Sequence, residues 1–334
     1  MLNYLREKIF DVDRLFQILI LLVIFLIGGC NKNEIIDPLT NIQKEALNYL
    51  PGESRFVVYF NLDELKKTDF WDNYFKTSLL GNKSDNQGFR KFEKLIGIGL
   101  NNGISQIFIS SKKNYWDAAA IILDENSQKI KDSFENYSGF IKENINNKSV
   151  YKLKGKFPLQ FYFVNDSILL TSKNLNYIKT VINKQNSPLN NNRSFIRTIK
   201  SIRYKKQYWI ATDNGEYAVN YIRNFFNFEQ KIPVNNVLKS IESVTLSAKF
   251  DNGLDIESKL NCSDSKNAYL LSAAIKGALA MDLLSGGDYS FGKILQKTDI
   301  ERLNKQINVK LELNGEDINI LKDFAKQKNL ERKL

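Results

Sequence analysis

Apolar and polar residues alternate with two different periods along the chain, and the changes of period predict a series of strands and helices. A period of two residues predicts a strand over 55–62. Apolar residues spaced three and four apart then predict a helix from about Asp63 to Leu80. The rest of the first half is expected to contain a helix within 86–99, two strands around Lys112 to Asn114, a helix over 126–145, three strands, and a helix over 174–184.

The second half of the chain repeats this order of elements. Alternating stretches around Asp251-Asn252-Gly253 predict a β-hairpin with left-handed residues in its turn. A long Ala-rich helix is expected from about Lys266 to Leu284, with Ser263 or Asp264 as its cap. The remaining predicted elements are a strand over 207–214, a helix over 215–228, a strand over 306–314 and a helix over 316–327.

This order of elements defines the expected fold class. Both halves follow β-α-β-β-α-β-α, the order of a split βαβ, or ferredoxin-like, unit with a trailing helix. We therefore predict an α+β protein with two tandem ferredoxin-like units, at 51–190 and 191–334, joined through the polar segment 183–194. Each sheet is expected to be antiparallel with helices on one face, because alternating strands bury one side only.

An apolar run near the start of the chain predicts export. Ten consecutive apolar residues extend from Ile18 to Ile27, whereas about 20 are needed to cross a bilayer as a helix. Arg6, Lys8 and Arg14 precede the run, and small residues follow it. This layout is typical of a secretory signal peptide.

The end of the run, Ile27-Gly28-Gly29-Cys30, resembles the lipobox of bacterial lipoproteins. The resemblance implies a signal peptide over 1–29, cleavage between Gly29 and Cys30, and acylation of Cys30 by fatty acids such as palmitate. It also implies a cell-envelope location. Asn31 follows the cysteine where inner-membrane lipoproteins often carry Asp, so the outer membrane is expected rather than the inner one. An uncleaved short anchor with an incidental cysteine remains the alternative.

Residues 30–50 are expected to form the lipidated cysteine, a polar tether and a brief helix over 40–50 that Pro51-Gly52 ends. The segment that follows, LPGESRFVVYFNLDELKKTDFW, resembles the opening of a loose group of uncharacterised secreted bacterial lipoproteins. No function follows from that resemblance. The residues that carry it are Pro51, Glu53, Asn61, Leu62, Leu65, Thr68 and Trp71.

Charge and cysteine content narrow the set of partners. The formal net charge is +11, but the basic residues are scattered along a chain rich in Asn, Lys, Ile and Phe. We attribute the excess to composition bias and expect no nucleic-acid partner. The chain has two cysteines, so acylation of Cys30 leaves Cys262 as the one free thiol, which we expect to be buried and inert.

The sequence offers no recognisable catalytic set. It contains no histidine, which excludes Ser-His and Cys-His nucleophiles and leaves no usual zinc ligand set. Gly287 to Lys293 matches the spacing of a phosphate-binding loop, but Ile294 replaces the required Ser or Thr and the loop follows a predicted helix. We therefore predict no enzyme activity, no catalytic or metal-binding residues and no cofactor.

The functional expectation is a non-catalytic binding or structural role at the envelope, with the membrane and an envelope protein, glycan or lipid as partners. Two alternatives remain open. One is a periplasmic carrier that holds a hydrophobic ligand between the two units. If one sheet face is open, strand aromatics would also line a groove there for a hydrophobic or glycan ligand. The other is a carboxylate-only glycan hydrolase, whose acids would come from strand-to-helix corners, namely Asp63, Glu64, Asp213 and Glu216.

Overall fold

The computed structural model describes residues 38–75, 103–112, 116–125, 127–155, 159–203, 205, 207–215, 237–284 and 289–320. The chain divides into two compact units. The N-terminal unit comprises the described parts of 37–200 and 205–210, and the C-terminal unit comprises 201–204 and the described parts of 211–334. The helix over 193–200 thus belongs to the N-terminal unit, although the predicted boundary lay at 190.

The N-terminal unit is built on one large sheet with strand order β8-β1-β2-β3-β7-β6-β5-β4. Every neighbouring pair from β1 to β4 in this order is antiparallel. Its strands are β1 (Phe56–Asn61), β2 (Ile104–Ser111), β3 (Trp116–Leu123), β4 (Phe140–Ile145), β5 (Lys148–Leu153), β6 (Gln160–Phe163), β7 (Ile168–Ser172) and β8 (Tyr208–Thr212). The last two residues of β8 are assigned to the C-terminal unit. Its α-helices are α1 (Asn41–Asn48), the single turn α2 (Leu62–Leu65), α3 (Ser127–Asn136), α4 (Leu175–Ile182) and α5 (Arg193–Lys200). The described part of this unit also contains a π-helical turn at Trp71–Phe75 and a 3₁₀ turn at Leu189–Asn191.

The structure confirms a mixed α and β protein with a large antiparallel sheet but not the ferredoxin-like order. A split βαβ unit places a third strand between two parallel strands that a helix connects. Here β1 and β2 are antiparallel neighbours that pair directly from Phe56 opposite Ser111 to Asn61 opposite Gln106, and the connection after β1 begins with a helical turn at Leu62–Leu65. The predicted order of helices and strands agrees with the structure in part, but the order of elements along the chain does not determine which strands pair.

The helix predicted over 126–145 is also wrong in its second half. Helix α3 ends at Asn136, and the chain returns as strand β4 to form a hairpin with β5. Asn146 and Asn147, with φ of 49° and 61°, form the two-residue turn of this hairpin. Such left-handed conformations are tolerated by Asn and suit the twist of the two strands.

Both faces of the N-terminal sheet are covered, in contrast to the predicted single face. Adjacent strand residues point to opposite faces, and this is seen at Val150 and Tyr151. Val150 packs in a cluster with Ile178 of α4, whereas the ring of Tyr151 lies 5.4 Å from the ring of Phe134 of α3. Helices α3 and α4 therefore cover opposite faces of the same strands.

Helix α1 begins and ends as the sequence predicts. Thr40 and Gln43 form a reciprocal capping box, and the helix ends at Asn48 before Pro51. Ala46 and Leu47 are completely buried. Three consecutive alanines of β3, Ala118 to Ala120, are buried in the sheet, and α1 contacts this strand. Small side chains at the centre of the sheet leave room for such a helix.

The C-terminal unit has a four-stranded antiparallel sheet with the order β11-β12-β10-β9. Helix α6 begins where predicted, and Asp264 is its cap because one of its carboxylate oxygens accepts the N–H of Asn267 at 2.8 Å. Residues 315–320 are also helical. The other elements are β9 (Ile241–Phe250), β10 (Leu254–Cys262), α6 (Ser265–Leu284), α7 (Tyr289–Gln296), β11 (Thr298–Leu303) and β12 (Gln306–Leu313).

The predicted β9–β10 hairpin is confirmed, but its turn is not left-handed. Phe250 pairs with Leu254, and none of residues 251–253 has a positive φ. Gly253 is required here for another reason: a Cβ atom on it would lie 2.2 Å from the carbonyl oxygen of Leu313. The glycine therefore permits a close approach of two backbones.

The core of the C-terminal unit lies between its sheet and α6. Leu260 and Cys262 of β10, Leu271 of α6, and Ile307 and Val309 of β12 form one buried cluster. Cys262 is 1% exposed and unpaired, as predicted, and burial raises the pKa of its thiol. Among the described residues, no helix combines the length and apolar character needed to cross a bilayer.

Candidate functional site

Several residues singled out in the sequence lie outside the described part of the chain. These include Gly29 and Cys30 of the lipobox, Glu216 among the corner acids, and Gly287 of the glycine-rich loop. Lys293, the last residue of that loop motif, lies within helix α7. A lysine inside a helix differs from the strand–loop–helix context that a phosphate-binding loop requires.

The corner acids of the N-terminal unit follow β1 directly, as predicted, in the single turn α2. Asn61 caps this turn by accepting the N–H of Glu64 at 3.1 Å. The carboxylate of Glu64 accepts a hydrogen bond from the ammonium group of Lys67 at 2.9 Å, while that of Asp63 accepts one from the hydroxyl of Ser105. Each of these acids thus has a structural partner. Asp213 follows β8 and belongs to the C-terminal unit.

The strand aromatics considered for a ligand groove are mostly core residues. Tyr59 and Trp209 are completely buried and stack with ring centres 5.1 Å apart, and Phe161 is 1% exposed. The hydroxyl of Tyr59 accepts a hydrogen bond from Gln43 at 2.8 Å and donates one to Gln106 at 2.9 Å. Because Tyr59, Trp209 and Phe161 expose almost no surface, these three described rings cannot line an open groove.

A pocket of about 290 Å³ lies elsewhere in the N-terminal unit, between α3 and the β4–β5 hairpin. It is open to solvent, and aromatic side chains and hydrogen-bonding side chains contribute to its lining. Six of its lining residues are Gln128, Asp132, Glu135, Asn147, Tyr151 and Phe163. The sequence pattern does not predict this pocket.

Glu135 of the pocket is hydrogen-bonded by two neighbouring side chains. Its carboxylate accepts hydrogen bonds from the ammonium group of Lys142, at 2.6 and 2.8 Å, and from the hydroxyl of Tyr151. The bonds from Lys142, and then the bond from Tyr151, hold the pKa of Glu135 below its usual range. Burial and the neighbouring carboxylate raise the pKa of Tyr151, so at neutral pH an ionised glutamate faces a neutral phenol.

Two further interactions organise the helix side of the pocket. Lys131 forms an ion pair with Asp166, and its ammonium nitrogen lies 5.8 Å from the centre of the Phe163 ring. The amide of Gln128 donates a hydrogen bond to the carboxylate of Asp132 at 2.8 Å. Most of the polar lining is therefore held in place before any ligand enters.

The pocket's chemistry favours binding over catalysis. Lys131 and Lys148 balance Asp132 and Glu135, so the charges of its lining cancel. Glu135 is held ionised by Lys142 and Tyr151 and is poorly suited to donate a proton. In the described part of the chain, no group of three or more Asp, Glu, Cys or His residues is placed to hold a metal ion.

The described fold therefore defines a mixed α and β protein with a large antiparallel sheet. No protein-family model matches the chain, and no curated protein matches it. The solved structure of crystal form IV of TP0453 is 10% identical to this chain, with a TM-score of 0.46. The alignment covers 83% of this chain and 96% of that one. A likeness at this level carries no conclusion about function.

Proposed function

We propose that this protein is a lipoprotein of the cell envelope, held at the membrane through fatty acids on Cys30, with a binding or structural role. The observation that carries the proposal is Ile27-Gly28-Gly29-Cys30 at the end of the ten-residue apolar run from Ile18. That run is too short to span a bilayer, and an aliphatic residue with two small residues before a cysteine is the pattern of a lipobox.

The proposed anchor has a clear energetic basis. Each methylene group transferred into the bilayer contributes about 0.8 kcal/mol, and one acyl chain gives only marginal binding. A cysteine acylated on its sulfur and on its new amine would carry several chains and hold the protein stably. Because Asn31 follows the cysteine, we place the anchor in the outer membrane rather than the inner one.

The proposed anchor would also keep the N-terminal unit near the membrane. Helix α1 begins at Asn41, so ten residues, 31–40, separate the helix from Cys30. A fully extended chain spans about 3.3–3.6 Å per residue, so this tether reaches at most about 35 Å. Partners of the N-terminal unit would then be molecules at the membrane surface or within one protein diameter of it.

The hydrogen bonds that the candidate acids accept from neighbouring side chains support the non-catalytic part of the proposal. Asp63 and Glu64 are engaged by Ser105 and Lys67, and Glu135 is engaged by Lys142 and Tyr151. An envelope protein, a glycan or a lipid is the expected partner class, and nucleic acid is not expected.

A single substitution tests the anchor. The chain has two cysteines, so Cys30→Ser and Cys262→Ser form a matched pair. In cells fed a labelled fatty acid, the parent and Cys262→Ser should incorporate label and fractionate with membranes. Cys30→Ser should lose both the label and the membrane association. Equal membrane association of Cys30→Ser, together with an unlabelled parent, would refute the proposal.

A further inference from the structure

We propose that the pocket between α3 and the β4–β5 hairpin binds one pyranose ring of an uncharged saccharide. The inference deepens the binding role proposed above by naming a ligand class, and it rests on that role but not on the lipid anchor. It is carried by three features of the pocket: its size, its charge balance and its prepared hydrogen-bonding groups.

The size of the pocket favours a single ring. Ligand pockets usually enclose about 300–1,000 Å³, and this one, at about 290 Å³, lies just below that range. Its open mouth allows the remainder of a polymer to continue into solvent. Phe163 is half-buried and packs against Tyr151 with ring centres 6.0 Å apart, which gives the pocket an apolar side. A pyranose ring presents apolar C–H faces with hydroxyl groups around its edge, so it matches such a surface.

The charge balance of the pocket disfavours ionic ligands. Lys131 and Lys148 are matched by Asp132 and Glu135 within the lining. An anion entering the pocket would meet two carboxylates, and a cation would meet two ammonium groups. A neutral ligand with many hydroxyl groups avoids both repulsions, and each hydroxyl can donate to a carboxylate or accept from an amide or ammonium group.

Several hydrogen-bonding groups are ready for such a ligand. Glu135 is fixed by Lys142 and Tyr151, so little side-chain freedom is lost when a ligand binds beside it. Asn147 and Lys148 line the pocket, and their side chains make no hydrogen bond or ion pair within the described part of the chain. Asn147 lies in the tight β4–β5 turn, with φ of 61°, and is one of the residues that line the pocket.

The β4–β5 turn allows a substitution that removes a side chain from the pocket without changing the backbone conformation. Asn147→Gly removes the amide, while glycine retains the left-handed conformation and forms the favoured Asn-Gly hairpin turn with Asn146. Phe163→Leu removes the aromatic ring and leaves an apolar side chain. Asn176→Ala is the matched control, because Asn176 is exposed on α4, which covers the opposite face of the sheet.

Binding of neutral oligosaccharides of glucose, of mannose and of N-acetylglucosamine to the purified protein is measured by titration calorimetry and ligand-observed NMR, with inorganic phosphate as the charged probe. We expect at least one saccharide to bind, and Asn147→Gly and Phe163→Leu each to weaken it by about 3- to 10-fold, as for loss of one hydrogen bond or contact. Asn176→Ala should leave the dissociation constant within twofold, and phosphate should not compete.

The inference is overturned if none of the three saccharide series binds, if the pocket variants bind as tightly as the parent, or if phosphate occupies the same pocket. Circular dichroism of each variant shows whether lost binding reflects unfolding, and the two pocket variants must agree. The outcome of the saccharide-binding experiment is independent of the outcome of the fatty-acid labelling experiment. Fatty-acid labelling without saccharide binding leaves the anchor in place and removes only the pocket's assignment.

Discussion

Replacing either of two glycines in the C-terminal unit by alanine tests the described backbone. The added methyl group should lower the free energy of unfolding at one position and raise it at the other. Gly253 lies between β9 and β10, where a Cβ atom would meet the carbonyl oxygen of Leu313 at 2.2 Å. Gly277 lies inside α6, where a Cβ atom would meet nothing within 4 Å.

The expected magnitudes follow from these two surroundings. The obstacle at Gly253 is backbone, so Gly253→Ala must displace the β9–β10 turn from the end of β12 and should destabilise the fold by about 1–3 kcal/mol. Gly277→Ala should stabilise it by about 1 kcal/mol, because alanine loses less backbone entropy than glycine in a helix. The two variants should therefore differ by about 2–4 kcal/mol in the free energy of unfolding.

The measurement is equilibrium unfolding in urea, followed by far-ultraviolet circular dichroism. All three tryptophans, Trp71, Trp116 and Trp209, lie in the N-terminal unit, so their fluorescence reports on that unit in the same titration. Gly253→Ala should move the circular-dichroism transition to lower urea and Gly277→Ala should move it to higher urea. If Gly253→Ala is as stable as the parent, or if Gly277→Ala is the less stable variant, the described turn or helix is wrong.

Three further outcomes are expected. Phe134 packs against Phe140, Tyr151 and other rings, so Phe134→Ala should lower the free energy of unfolding, measured in urea, by about 3–5 kcal/mol. A decrease below about 1 kcal/mol would contradict this packing. Burial raises the pKa of Tyr59 and of Tyr151, so these two tyrosines should leave stability unchanged from neutral pH to about pH 10, and stability should fall as pH rises further. A free energy of unfolding in urea that is no lower at about pH 11 than at about pH 9 would contradict this. Cys262 should react with a thiol reagent far more slowly in the folded than in the urea-unfolded protein, and equal rates would show that its burial is wrong.

The sequence predicts the central strands of the sheets well and misses the edge strands. Strands β3 and β7 are buried along most of their length, so their apolar character is visible in the sequence. Strand β4 buries only Phe140, and β11 buries none of its residues completely. An edge strand needs few apolar residues because solvent reaches much of it, so its sequence resembles that of a loop or a polar helix.

The candidate pocket could not be predicted from the sequence for a related reason. Its central contact joins Glu135 of α3 to Lys142 of β4, whereas the sequence pattern predicts both residues in one helix. The signal that could have revealed it is Asn146-Asn147, a pair that tolerates left-handed backbone and stands between two β-compatible stretches. A hairpin recognised there would have placed Asn147 and Tyr151 opposite the helix.

Strand β4 stands at the end of its sheet's strand order, which leaves one row of its backbone donors and acceptors available for pairing with another molecule. Two copies that paired their β4 strands about a two-fold axis through Lys142 or Glu143 would place like charges directly opposite each other. Under the proposed lipid anchoring, copies would be concentrated in two dimensions, which favours such edge-to-edge pairing. These charged residues would then help to keep neighbouring molecules on a crowded membrane separate.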